Sequence, residues 1–289
     1  GIVASTMTAR DRVFGDFVKR IDSMAASLIR SVNEVHSQGQ GRRGYEKLVT
    51  SIASDTGVPL VNAGLPWDPR NGSFDMHVVD DQGQLISSHR VNVRKLGQVD
   101  DSTVRSIVED INAISGIQAN VTSEGKIEIL SESPTASFTF GEDTSGFLAA
   151  AGINTFFSGR SGFDIRVNEL LVQNSDFLAI SRGGIGEDTD ALSTLIDLVD
   201  QPLVYLDGRS VRETDESSVS GLGQKIALQE NATEGLRNFY ATLESQHLAI
   251  TGVNIDEESI RMIAYQRAFQ ASSRVIATAS EMLELLVSL

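Results

Sequence analysis

Histidines, acidic pairs and one glycine-rich run are the residues here whose types could do chemistry. His36, His77, His89 and His247 are never three or four residues apart, so no local two-ligand metal spacing exists. His77 and His89 could face each other across an expected hairpin, but surface or cross-strand polar roles are the plainer reading. Asp80-Asp81, Asp100-Asp101 and Glu187-Asp188-Thr189-Asp190 offer paired carboxylates of the kind that bind calcium or share general acid and base work. Asp188 and Asp190 lack the rest of an EF-hand loop, however, and Asp100 and Asp101 stand where they would cap a helix. Gly39-Gln-Gly41-Arg-Arg-Gly44 spells G-x-G-x-x-G letter for letter. The dinucleotide fingerprint needs a strand before it and a helix after it. A long helix precedes this run, so a glycine-rich helix exit explains it better. No G-x-S-x-G elbow occurs. The absence of cysteine removes thiol nucleophiles, cysteine-held metals and disulfides. The sequons at Asn71, Asn120 and Asn231 read as chance. No catalytic, cofactor-binding or metal-binding residue is assigned, no cofactor is expected, and enzymatic readings are weak.

The elements are more telling than the chemistry. The chain has 289 residues, 40% of them hydrophobic, which supports packed cores and argues against disorder. Aromatic content is only 6%, as suits helices packed through Leu, Ile, Val and Ala. A formal charge of −15 argues against nucleic acid or an anionic membrane as partner. The apolar runs are too short to span a bilayer. The chain opens on Gly1 without a leader pattern, and reads as a portion of a longer protein.

Residues 10 to 36 read as one helix with Phe14, Phe17, Ile21, Met24, Leu28, Ser31 and Val35 in a heptad seam, closing near Gly39 to Gly41. From about residue 45 turn residues multiply and strands follow. Ser73–Val79 and Leu85–Val93 form a hairpin, a helix starts after Asp101-Ser102 with Val104, Ile107, Val108 and Ile111 on one face, and a second hairpin joins Ile117–Thr122 to Lys126–Leu130. Ala136–Phe140 adds a strand with Phe138 and Phe140 on one side, and Thr144–Ala150 a short helix ending at Gly152. After residue 161 come a strand at Asp164–Val167, a helix at Asp188–Leu198 with Leu192, Leu195, Ile196 and Val199 as its apolar face, and a turn-rich stretch from Ser210 to Gly221.

Two long helices close the chain. The first, about Leu222 to Ala249, has a weak seam interrupted by Gln229, Thr233 and His247. Asn254 then caps a last helix running to the end. Met262, Tyr265, Phe269, Ser272, Ile276, Ala279, Leu283 and Leu286 alternate by three and four. A second stripe of Ala264, Ala268, Ala271, Val275, Thr278, Met282, Leu285 and Leu289 lies beside it. Two adjoining stripes suit a helix that touches two neighbours. Met262, Tyr265, Ala268, Phe269, Ala271, Val275, Ile276, Ala279, Leu283 and Leu286 are the candidate assembly residues, with Ala268 and Ala271 as points of close approach. The fold expected is α+β: an elongated rod of heptad-patterned helices from both ends, with a β-rich α+β domain inserted between. Its parts are a first helix in 1–44, an inserted α+β domain in 45–160, a mixed segment returning to the rod in 161–221 and two long helices in 222–289, of which 254–289 is the assembly helix.

Thr251-Gly-Val-Asn-Ile-Asp-Glu-Glu258 and Ala264-Tyr-Gln-Arg-Ala-Phe-Gln-Ala-Ser-Ser-Arg-Val-Ile-Ala-Thr-Ala279 closely resemble the C-terminal signature of flagellar axial proteins, the rod, hook and hook-associated proteins. Val32–Gly39, Gly152-Ile-Asn-Thr-Phe-Phe-Ser-Gly159, Ile165-Arg-Val-Asn168 and Leu178-Ala-Ile-Ser181 are similar to the hook-associated members at the junction of hook and filament. Arg10-Asp11 fits the same pattern, and the resemblance is weakest over residues 45 to 135, where such proteins vary.

The resemblance implies a non-enzymatic structural subunit outside the cell. It would leave unfolded through the flagellar export apparatus without a cleavable signal and assemble through terminal helices. The implied partners are copies of itself, hook protein, other hook-associated or filament subunits and an export chaperone, with no nucleic acid and no membrane. An N-terminal helix of the family, partner to the last helix, is not matched here. The competing readings are another axial protein, flagellin-like subunits included, and a surface module for a glycan or calcium.

Overall fold

The computed structural model describes residues 14–252 and 254–287. The fold is α+β, as the sequence leads one to expect. Contacts divide the chain into one unit ending at Gly223 and another beginning at Gln224.

In the first unit, helix α1 (Gly15–His36) is followed by strand β1 (Lys47–Val49), the β2 (Gly72–Asp80) and β3 (Leu85–Val93) hairpin, helix α2 (Val104–Asn112), strands β4 (Ile117–Val121), β5 (Ile127–Ser131) and β6 (Ala136–Gly141), and the short helix α3 (Phe147–Ala151). Two antiparallel sheets result, ordered β1-β5-β4 and β3-β2-β6. Alternation places their inner faces in one core with α2. Phe74, Met76, Phe138, Phe140, Ile107, Ile111, Ile129, Phe147 and Leu148 are all fully buried there. Phe138 and Phe140 meet edge to face at 5.8 Å, and α2 buries the four residues that its periodicity selects.

The β2–β3 turn is held by Asp80, whose Oδ1 accepts from the amides of Gln82 and Gln84. The register sets His77 opposite Ser88 and Thr139, and His89 opposite Met76. The two histidines therefore do not pair across the hairpin as expected; the strand offset puts them on opposite faces. Nor do Asp100 and Asp101 cap α2. Thr103 does, in a reciprocal box with Ser106, while the Asp101 carboxylate accepts from the amides of Leu96 and Gly97 in the preceding turn.

Beyond α3 the chain makes a two-residue pairing of β7 (Phe157–Ser158) and β8 (Arg166–Val167), a short helix α4 (Glu169–Gln173) and helix α5 (Asp190–Asp197). α5 turns a different face inward from the one expected. Ala191 and Leu198 are buried, whereas Leu192, Ile196 and Val199 are exposed. Leu198 joins Leu203 and Leu206 in a second small core, packed against Leu28, Val32 and Val35 of α1. The seam of α1 thus packs through Leu28 and Val35, with Val32 beside them, while Phe14 at its other end is about half exposed. Residues 10 to 13 of the expected helix, with Arg10 and Asp11, lie outside the described residues.

The next helix, α6 (Val211–Thr251), begins eleven residues before its expected start. The reason is a capping box: the Glu213 amide donates to Ser210 Oγ, and the Ser210 amide donates to the Glu213 carboxylate. Helix α7 (Ile255–Val287) starts where Asn254 Oδ1 accepts from the Asp256 amide. The acidic triplet Asp256, Glu257 and Glu258 sits at its positive end.

Candidate functional site

α7 carries all the candidate assembly residues, and no described residue of it is buried. Met262, Tyr265, Phe269, Val275, Ile276, Leu283 and Leu286 are each more than half exposed. Ala268, Ala271 and Ala279 are exposed as well. In the second stripe, Met282 and Leu285 are 63% and 65% exposed. A helix of 33 residues with two apolar stripes facing water is the kind of surface that marks an interaction site. The chemistry it offers is association through packing, without a reacting group.

A second arrangement lies in the first unit, at the C-terminal end of α1. Helical spacing puts Ile29, Asn33 and His36 on one face, and all three are buried. Asn33 Nδ2 donates to the Phe157 carbonyl at 2.9 Å, and the Phe157 amide donates to Asn33 Oδ1 at 2.8 Å. The Ala179 amide donates to His36 Nε2 at 3.0 Å. That bond leaves Nε2 without a proton, so the neutral ring carries it on Nδ1 and donates to the Asn154 carbonyl at 2.8 Å. Burial pushes the imidazole pKa down to about 4.

Asn154 holds the centre of this joint. Its φ of +48° is a left-handed conformation that asparagine tolerates better than most residues. Its Nδ2 faces the carbonyls of His36, Ser37 and Gly39, the last at 2.9 Å, and its Oδ1 accepts from the Tyr45 hydroxyl at 2.8 Å. Burial raises the Tyr45 phenol well above its ordinary range, and its ring stacks on Phe177 at 4.5 Å. Asn168 Nδ2 donates to the Thr155 carbonyl, and Gln40 pairs its backbone with Ser181.

The glycine-rich run belongs to the same joint. A side chain at Gly41 would strike the Asp176 carbonyl, and one at Gly39 would come within 2.8 Å of Ala179 Cβ. Close backbone approach accounts for these glycines, and β1 rather than a helix follows them. The stretches Val32–Gly39, Gly152–Gly159, Ile165–Asn168 and Leu178–Ser181, far apart in sequence, therefore meet in one place.

Beside the joint, the Arg30 guanidinium lies 3.8 Å from the centre of the Tyr205 ring and 5.5 Å from that of Trp67. The Tyr205 hydroxyl donates to the Glu34 carboxylate, which also accepts from Arg30 Nε. Asp188 closes the loop before α5. Its carboxylate accepts from the amides of Arg182, Gly183 and Asp190 and from Ser181 Oγ, which hold its pKa at about 2. Among the described residues no group of three or more His, Asp or Glu is placed to hold a metal. A polar cleft of about 360 Å³ lies between Arg42–Glu46, the β2–β3 turn and Pro134–Ser137. In it Arg43 pairs with Glu46 at 2.7 Å, and Asp80 is taken up by the amides of its own turn. Among the described residues no helix is long and apolar enough to cross a membrane.

Comparison with known proteins gives results that agree with the resemblance read from the C-terminal residues. The family described as flagellar basal body rod FlgEFG protein C-terminal matches residues 244–289, which contain α7. The chain is 22% identical over 203 residues to flagellar hook-associated protein 1 of Escherichia coli (strain K12), a match covering 65% of this chain and 37% of that one. It is 27% identical over 136 residues to flagellar basal-body rod protein FlgG of Buchnera aphidicola subsp. Acyrthosiphon pisum (strain APS), covering 45% of this chain and 50% of that one. The chain thus spans between about a third and a half of the length of these relatives.

Proposed function

We propose that this chain is part of a structural subunit of the bacterial flagellum. It joins hook to filament by self-assembly through its terminal helices and catalyses nothing. The observation that carries the reading is the pair of exposed apolar stripes on α7, inside the segment matched by a flagellar family. The similarity to hook-associated protein 1 supports the junction over other positions. Its partners in this reading are copies of itself, hook protein and other hook-associated or filament subunits, with an export chaperone before assembly. Its place is the extracellular flagellum, reached through the flagellar export apparatus without cleavage of a signal. The rod protein similarity favours one second reading, another position along the same axis.

The test is electron microscopy of cells lacking their own hook–filament junction protein and supplied with the protein that carries this chain. Restored filaments support the junction. Bare hooks, with the protein shown to be exported, reject it in favour of another axial position.

A further inference from the structure

His36 is the one histidine whose two ring nitrogens both meet backbone groups in the described structure. It is fully buried at the place where α1, the 153–157 segment and the 177–181 segment converge. Nδ1 donates to one segment and Nε2 accepts from the other, so the ring joins both to the helix. A proton added to Nε2 would set two donors, ring N–H and Ala179 N–H, against each other at 3.0 Å. Neither could turn to another acceptor without the ring leaving its pocket.

We infer that His36 is an acid-sensitive latch: protonation at Nε2 releases the 177–181 segment from α1 while the β-sheet core stays folded. The inference stands apart from any flagellar role.

The groups around the ring leave the proton without compensation. On its own helix, Arg30 and Glu34 are engaged with each other and with Tyr205. The 153–157 segment presents Asn154, Thr155 and Phe156, with the Phe156 ring edge-on at 5.7 Å. The 177–181 segment presents Ala179 and Ser181, and Asp188 stands behind the Ser181 hydroxyl, bound by three amides. Tyr45 reaches the ring only through Asn154 and is neutral. Desolvation is the largest influence on the imidazole, and the Asn154 carbonyl opposes it.

The direction follows from linkage. The ring is neutral when folded and takes up a proton near pH 6.5 once released. The latch is therefore at full strength above about pH 6.5 and weakens progressively as pH falls from there to about 4, where the loss is nearly complete. Across that window the opening equilibrium rises roughly a hundredfold.

Hydrogen exchange of the Ala179 amide in the full chain, corrected for intrinsic chemistry, reads this opening from pH 7 to 4. The Thr139 amide, which faces His77 in the β2–β6 ladder, reports the sheet core. We expect opening at Ala179 to rise roughly a hundredfold with Thr139 unchanged. His36→Gln, which keeps an acceptor for the Ala179 amide and cannot titrate, should flatten the profile. Identical profiles in the two proteins overturn the latch, as does a Thr139 amide that opens in step with Ala179. Nitrogen chemical shifts of the native His36 ring decide the matter even if the variant fails to fold. A proton on Nδ1 at neutral pH, with Nε2 titrating in step with Ala179 opening, sustains it; a proton on Nε2 at neutral pH ends it.

Discussion

Asn33 and Phe157 exchange two hydrogen bonds, side-chain amide to backbone, at 2.9 and 2.8 Å. The pair reproduces the bonding of two facing strand residues, with a helix side chain standing in for one strand. It ties α1 to the start of β7 across 124 residues of sequence. Asn33→Ala removes both bonds and leaves a donor and an acceptor without partners. A loss of about 3 kcal/mol is expected from the first unit, read as a lower urea midpoint. A loss below about 0.5 kcal/mol, the range of ordinary surface substitutions, would show that water replaces the amide.

The elements of the β-sheet core are legible in the sequence because apolar residues recur at the period of each element, two in the strands and 3.6 in the helix. α2 is the plainest case: only one of its faces is apolar, so Val104, Ile107, Val108 and Ile111 had one place to go. α5 is not legible in the same way. Both its sides carry apolar residues, and the fit against α1 selects Ala191 and Leu198 over the more apolar stripe of Leu192, Ile196 and Val199. The early start of α6 had a signal, Ser210-Val-Arg-Glu213, obscured by the polar residues after it. The joint had none in periodicity. Asn33, His36 and Asn154 are polar, and a hydrophobic pattern discounts them; only the family-like stretches mark its members. The candidate assembly residues of α7 are the reverse: their spacing is plain in sequence, and one chain alone leaves them in water.

Tyr205 bonds Glu34 through its hydroxyl and carries Arg30 on its ring face. Tyr205→Phe should cost about 1 kcal/mol, since the ring contact remains. Tyr205→Ala should cost about 2 to 3 kcal/mol by removing the cation–π contact and apolar packing as well. Chemical denaturation of both variants checks the order. Equal losses would assign the whole effect to the hydroxyl and its bond to Glu34.

Asp188 is stabilised as a carboxylate by backbone donors, so its folded pKa lies below the ordinary value of 3.8. A group depressed on folding contributes above its unfolded pKa and loses that contribution as pH falls through the folded one. The 181–190 loop should therefore stay closed above about pH 4 and loosen toward pH 2. Asp188→Asn keeps one acceptor oxygen but exchanges the other for a donor aimed at amides. It should loosen the loop already at pH 7, seen as faster exchange of the Arg182 and Gly183 amides. Unchanged exchange would mean that the turn holds without the carboxylate.

Ile276 is 67% exposed in the single chain. Ile276→Glu should leave the stability of the first unit, read from its urea midpoint, within about 0.5 kcal/mol of wild type. In an assembly the same change buries an unpaired charge, at a cost of several kcal/mol. Loss of assembly in electron micrographs with an unchanged midpoint is the expected result. Normal assembly of the variant would remove α7 from the contact.

The chain passes Tyr45 on its way into the β-sheet core and Asn154 on its way out, and these two side chains touch. A stretch of chain whose two ends meet behaves as a cassette. It can grow, shrink or be traded for another while the pieces that grip its ends keep their places. Selection can then act on the two parts at different speeds. The grip must satisfy every buried polar atom and tolerates little drift, whereas the cassette must only fold and bring its ends together.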